Sequence, residues 1–158
     1  MPLSRAGDAL GPGHLDHAVL ADVLGYRLAQ ATIPTNAIFR ARIADPFGLN
    51  KLEFSLLMLV SGNAEVTPKR LSIALNVPGP NLTLLLDRLE ERGHIERRRS
   101  EEDRRVQHVL LTRKGRALVG RLRGTIATME EDLLGHLTEA ERAMLFELLK
   151  KVAAHRRG

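Results

Sequence analysis

The chain has 158 residues, 44% of them hydrophobic but only 3% aromatic, no cysteine or tryptophan, and a formal net charge of +5. That length suits one domain, or one domain with a dimerisation extension, and a core of Leu, Ala, Val and Ile favours helices. The missing cysteines exclude disulfide frameworks, thiolate-bound zinc and thiol redox sensing, while the positive balance is compatible with an anionic partner without requiring one.

In chain order, MPLSRAGDALGPGHLDH contains no signal-peptide apolar region, and no apolar run approaches the ~18–20 residues of a membrane span. A cytoplasmic protein without membrane contact is expected, with residues 1–13 as a flexible arm. Leu15 to Ala44 reads as a long helix, with a stripe at Leu15, Val19, Val23, Tyr26, Ala37, Ile38 and Ala41, kinked or split at Pro34. Asp45-Pro46-Phe47-Gly48 breaks it. Asn50 with Glu53 is a capping-box pattern; the helix it starts is apolar nearly all round (Leu52, Leu56, Leu57, Leu59, Val60), hence buried, and stops at Ser61-Gly62-Asn63.

Thr67-Pro68 opens a short helix with Leu71, Ala74 and Leu75 inward. The turn Asn76-Val77-Pro78-Gly79-Pro80 leads into a helix over Asn81–Arg92, whose Leu82, Leu85, Leu86 and Leu89 share a face and whose end is marked by Gly93. A short helix, a tight turn and a second amphipathic helix make a helix-turn-helix. The periodicity then changes: Ile95–Arg99 and Val106–Leu111 read as two strands around the charged tip Ser100-Glu101-Glu102-Asp103-Arg104. A basic hairpin directly after such a helix is the layout of a winged helix. Thr112 caps a further helix with the stripe Ala117, Leu118, Leu122, Ile126, Met129, Leu133 and Leu134, and from Arg104 to Met129 there are basic residues but no acid. Thr138 and Glu141 form a second capping box before a last helix carrying Met144, Leu145, Leu148, Leu149 and Val152. Those terminal helices have more apolar surface than one subunit needs, which suits a dimer interface.

From Asp87 to Leu118 the sequence resembles the MarR family of bacterial transcription regulators. The resemblance rests on Leu89-Glu90-Glu91-Arg92-Gly93, Glu96-Arg97, Asp103-Arg104-Arg105 and Leu111-Thr112-x-x-Gly115, with Gly48-Leu49 and Leu24-Gly25-Tyr26-Arg27-Leu28 upstream; it extends from roughly Leu20 to Val152. It implies a mainly α fold with a small β-hairpin wing, a winged helix-turn-helix dimerised through its N- and C-terminal helices. The division expected is a DNA-binding lobe at 46–112 and dimerisation helices at 14–45 and 113–158. It further implies a homodimer on a palindromic operator in double-stranded DNA, usually a repressor, released by a small, often aromatic or phenolic, effector. The chain departs from the family pattern at Pro78-Gly79-Pro80-Asn81 and at Leu84, where polar or charged residues are more common.

Base edges in the major groove are met near the start of the recognition helix. Asn81 and Thr83 are the hydrogen-bonding candidates, against a helix cap and a solvent-exposed residue; Pro80 and Leu84 suit a thymine methyl. Arg105 suits the narrow minor groove. Asp103, taken as two residues away on the same strand face, either aims Arg105 or forms an exposed ion pair of little worth. Arg97, Arg98, Arg99 and Arg104 are candidate phosphate neutralisers, although one strand face takes at most two of the three consecutive arginines. Thr67, Lys69 and Arg70 are placed to hold the DNA backbone, and Arg88 either reaches phosphate or pairs with a neighbouring Glu. Tyr26, Phe39, Arg40, Phe47, Phe54 and Met58 are candidates for an effector pocket, each against an ordinary core role. His14 and His17 lack a supporting carboxylate pattern, and His94, His108, His136 and His155 are scattered, so neither metal nor cofactor is expected. No nucleophile elbow, phosphate loop or paired-carboxylate constellation indicates an enzyme. The competing class is a winged helix for protein contact, which Pro80, Leu84 and the acids Glu101, Glu102 and Asp103 keep open.

Overall fold

The computed structural model describes residues 12–155, so most of the expected arm at 1–13 lies outside the described residues. The chain divides into two units, residues 1–37 and 38–158.

In the first unit, two short 3-10 turns, Pro12–His14 and Ala18–Leu20, precede α1 (Leu24–Phe39). The long helix expected from Leu15 therefore begins nine residues later. Asp16 explains part of the difference: its carboxylate accepts the Ala18 amide at 2.8 Å, a local bond that competes with helix. The Arg27 guanidinium reaches back to the Ala21 carbonyl at 2.9 Å. Pro34 does not split α1. Hydroxyls of Thr32 and Thr35 donate to the carbonyls of Ala29, Ala31 and Thr32 in the turns next to it. The irregularity comes later, in a wide π-type turn at Arg40–Ala44, followed by the three-residue α2 (Asp45–Phe47) and Gly48 at φ +62°.

The second unit is a winged helix. Asn50 and Glu53 form the expected reciprocal cap of α3 (Lys51–Gly62). Glu53 is almost fully buried and lies 3.6 Å from the Arg92 guanidinium. Arg92 also donates to the Phe47 carbonyl, so an ion pair joins the start of α3 to the end of the recognition helix. α3 buries Leu56, Leu57 and Val60, but Leu52 is exposed: only the face turned towards the other helices is covered. Helix α4 (Pro68–Leu75) is capped by Thr67 and buries Leu71, while Ala74 stays outside. Helix α5 (Gly79–Glu91) buries the expected Leu82, Leu85, Leu86 and Leu89.

Strands β1 (Ile95–Arg99) and β2 (Gln107–Leu111) pair antiparallel, Ile95 with Leu111, Arg97 with Val109 and Arg99 with Gln107. The Val109 amide turns away from β1 and donates to the Val66 carbonyl at 2.8 Å, fixing the wing to the loop before α4. Helix α6 (Arg113–Ile126) buries Gly115, Leu118, Val119 and Leu122. The expected stripe does not continue as one helix: α6 ends at Ile126, α7 is only Glu131–Leu134, and Ala117 faces out. Helix α8 (Glu139–Ala153) carries the expected Thr138/Glu141 box, whose amide and hydroxyl donors hold the Glu141 carboxyl below its ordinary pKa. None of its residues is buried.

The joint between α5 and the wing is built from the main chain. Gly93, at φ +73°, lets the Gly93 and His94 amides return to the carbonyls of Glu90 and Leu89, at 2.8 and 2.9 Å. These are the two bonds of a Schellman motif. The Thr112 hydroxyl donates to the Gly93 carbonyl at 2.6 Å and accepts the Gly115 amide at 3.0 Å. Gly115 presses on His94 so closely that a Cβ there would lie 1.9 Å from the His94 carbonyl oxygen. Two substitutions should separate these constraints. Gly93→Ala meets only the strain of positive φ, about 1 kcal/mol. Gly115→Ala forces main chain apart and should cost about 3 kcal/mol or more. Urea unfolding of both variants checks the order; equal losses would contradict this packing.

Candidate nucleic-acid interface

α5 begins two residues before the expected Asn81. Pro78 is the N-cap and makes no side-chain cap bond; Gly79 and Pro80 are already helical. Proline suits a first turn because its missing amide has no partner there anyway. Asn81 is therefore an exposed first-turn residue and not the cap. Pro80, Asn81, Thr83, Leu84 and Arg88 are all exposed, whereas the four leucines of this helix are buried. The Thr83 hydroxyl donates to the Gly79 carbonyl at 3.1 Å, and Arg88 Nε donates to the Leu84 carbonyl at 3.4 Å, so Arg88 is drawn to its own helix. Leu84 is 61% exposed, an outward apolar side chain on the helix that the sequence assigns to recognition.

At the start of α4, Thr67 accepts the Arg70 amide, and the Arg70 guanidinium donates to the carbonyls of Ala64 and Glu65 at 3.2 and 2.9 Å. Arg70 clamps the loop that holds β2; Lys69 is exposed next to it.

The wing divides the arginines by strand alternation. Arg97 lies on the same face as buried Ile95, opposite buried Val109. Its guanidinium donates to Asp87 at 2.7 Å and to Glu90 through Nε at 3.0 Å. Hydrogen bonds from Arg97 hold the Glu90 carboxyl below its usual pKa, and Glu90 raises that of Arg97. Arg97 is thus taken up by α5, which corrects its assignment as a phosphate neutraliser. The warning was present in the sequence: Arg97 stands two residues after Ile95, and Asp87 and Glu90 are one helical turn apart. Arg98 occupies the opposite face, is exposed and pairs with Glu96. Arg99, Arg104 and Arg105 are exposed.

At the tip, Ser100 Oγ accepts the amides of Glu102 and Asp103, and the Val106 amide donates to the Asp103 carbonyl at 2.9 Å. Asp103 and Arg105 lie in this turn and not on a strand. The Asp103 carboxylate accepts the Arg105 main-chain amide at 2.9 Å. The expected ion pair is replaced by an Asx-type turn that fixes the backbone under Arg105 and leaves its guanidinium outward.

The six candidate effector residues divide between the two units. Phe39 meets Phe54 edge to face at 5.4 Å; Phe47 lies under the Arg121 guanidinium at 5.0 Å; Met58 packs against the core; and Arg40 stands 3.7 Å from Asp45. Tyr26 belongs to the other unit, where its hydroxyl meets His17. Two open clefts lie elsewhere in the second unit. One, of about 600 Å³, runs beside α5 past Asn50, Asn76, Asn81, Leu84 and Arg88. The other, of about 540 Å³, lies between the end of α3, the outer wing and α6, with Arg98, Arg116 and Arg123 on its walls. Among the described residues, no three His, Asp or Glu side chains gather as metal ligands.

His94, at the joint, is buried and its Nδ1 has no hydrogen-bond partner in the structure. Burial first, then the nearby Arg92 and Lys114 cations, push its pKa below the ordinary histidine value. The unfolded chain therefore takes up a proton at His94 at a pH where the folded protein resists it. Stability due to this residue is intact above about pH 6.5 and falls as pH drops from there towards the lower folded value. Urea midpoints from pH 7.5 to 5 should fall more steeply for the wild type than for His94→Gln; parallel curves would contradict this.

Residues 47–106 match the model of the MarR family. A curated relative, the putative transcriptional regulatory protein for the hcr operon of Thauera aromatica, is 27% identical over 138 residues, covering 87% of this chain and 83% of that protein. Among solved structures, the transcriptional repressor CouR bound to a 23-mer DNA duplex superposes with a TM-score of 0.79 at 34% identity, covering 88% of this chain and 98% of that one. The structure of Bordetella bronchiseptica BpsR, whose DNA binding is regulated by 6-hydroxynicotinic acid, gives a TM-score of 0.76 at 25% identity, covering 85% and 96%.

Proposed function

Because the chain belongs to the MarR family of transcriptional regulators, we propose that it works as a homodimeric repressor whose hold on a palindromic operator is relaxed by a small effector. The observation that carries the DNA-binding face is the arrangement of α5 and the wing tip. α5 turns Asn81, Thr83 and Leu84 outward, and the hairpin beside it ends in exposed Arg104 and Arg105 on a turn closed by Ser100 and Asp103. Helix α5 would enter the major groove with few polar side chains to read base edges, leaving Leu84 and Pro80 for thymine methyls. Arg105 would enter the flanking minor groove, and Arg99, Arg104 and Lys69 would neutralise phosphate.

The dimer is supported by α8, where Met144, Leu145 and Leu148 are 54%, 38% and 50% exposed on one helix face, an apolar stripe that a second copy would cover. A twofold dimer presents two recognition helices and so fits a palindrome. BpsR and its 6-hydroxynicotinic acid make a small aromatic acid the first effector class to test. Among the described residues no helix is long and apolar enough to cross a membrane, and we place the protein in the cytoplasm with the DNA. The protein-contact reading is less well supported, since CouR, at 34% identity, is a repressor solved on a DNA duplex.

Arg105→Ala should cost about 1–3 kcal/mol on a duplex selected from a random library, and should weaken the preference for A·T at the flanking positions. Unchanged affinity in a fluorescence titration would remove the wing tip from the interface. Leu148→Glu should convert a dimer into a monomer in sedimentation velocity, and a persisting dimer would move the interface away from α8.

A further inference from the structure

Arg97 differs from its neighbours on the wing in what it touches. Its main-chain amide donates to Glu90 Oε1 at 3.1 Å, its Nε to Glu90 Oε2 at 3.0 Å, and its Nη2 to Asp87 at 2.7 Å and again to Glu90. Its side chain is only 21% exposed. Asp87 and Glu90 stand one turn apart on α5 and present two carboxylates to one guanidinium fork. A lysine has a point charge and no fork, so it cannot reproduce this geometry. Across the hairpin, Arg97 pairs with Val109, and Val109 is held by the Val66 carbonyl. The middle of the wing is therefore fixed on both edges, to the recognition helix on one side and to the loop before α4 on the other. Beyond it, Arg98, Arg99 and the tip extend into solvent.

This accounts for two of the three acids of α5, a helix that would meet a polyanion. Alone, Asp87 and Glu90 would weaken DNA binding by like-charge repulsion. Taken up by Arg97, they set where the wing leaves the helix. We propose that Arg97, Asp87 and Glu90 form a positioning strut that fixes the spacing between α5 and the wing tip, so that major- and minor-groove contacts are made in one register. The strut raises discrimination between sequences without touching DNA. This rests on the DNA-binding reading above.

The test uses a duplex that the wild-type protein enriches from a random-sequence library and a mixed-sequence duplex of the same length, each titrated over a salt series. Arg97→Lys keeps the charge and removes the fork. It should weaken binding to the selected duplex about tenfold, the size of one lost base contact, with mixed-sequence affinity and salt slope retained. Glu90→Gln removes a negative charge from the recognition helix. By charge alone it should tighten binding to every duplex; through the strut it should weaken binding to the selected one while mixed-sequence affinity holds or rises. Thermal unfolding of each variant accompanies the titrations. The strut is overturned if Glu90→Gln tightens both duplexes together, if Arg97→Lys leaves the selected duplex unaffected, or if both affinities fall in step with the folded fraction. A wild-type protein that enriches no sequence overturns the regulator reading itself, and the purpose of the strut with it.

Discussion

A wing can aim a side chain at DNA only if its root does not move, and here the root is a knot of main chain. The end of α5 leaves carbonyls without helical partners. Gly93 turns the chain so that two of them are met at once, and Thr112 returns from the far end of the hairpin to meet the Gly93 carbonyl itself. Gly115 completes the knot by having no side chain, because the carbonyl of His94 occupies the place where one would be. Strand pairing, the Val66 bridge and the contacts of Arg97 then carry that fixed origin outward to the tip.

The charges sort themselves around this frame. Acids on the second unit's inner joints are engaged: Glu53 with Arg92, Asp87 and Glu90 with Arg97. Among the basic groups left outward, Arg104 and Arg105 sit at the end of the hairpin, on a turn tied by Ser100 and Asp103. In the proposed complex α5 would contribute shape more than hydrogen bonding, since Pro80 and Leu84 occupy part of its outer face. On the DNA-binding arrangement proposed above, such a protein would draw its affinity from phosphate and minor-groove contact and only part of its selectivity from direct base readout.

Much of this was legible in the residues. The leucine face of α5, Gly93, the Asn50 and Thr138 boxes and the change of period at Ile95 each have a local cause, and local causes can be read from sequence. What was not legible depended on competition or on long-range fit. The stripe at Leu15, Val19 and Val23 has helical spacing, yet the chain there forms only short turns before α1. Arg97 was read by its charge, whereas its strand position set its direction. The sequence offers Asp103 as an ion-pair partner, but an Asp two residues before an amide can bond the main chain more cheaply than a long side chain. The role of Gly115 required knowing that His94, distant in sequence, would lie against it. For Phe39, Phe47 and Phe54 the residue type alone does not separate a core edge from a ligand wall; the structure packs all three against the core.

In the proposed complex two copies of this frame grip one duplex, each with a helix in the major groove and a wing tip in the minor groove. Hydroxyl-radical footprinting on the selected duplex tests it most directly, because cleavage reports the minor-groove face of each strand. Two equivalent protected patches related by a twofold axis are expected, each with a flanking minor-groove segment protected at the position of the wing. A single asymmetric patch, or protection confined to the major-groove half-sites with open flanks, would contradict it.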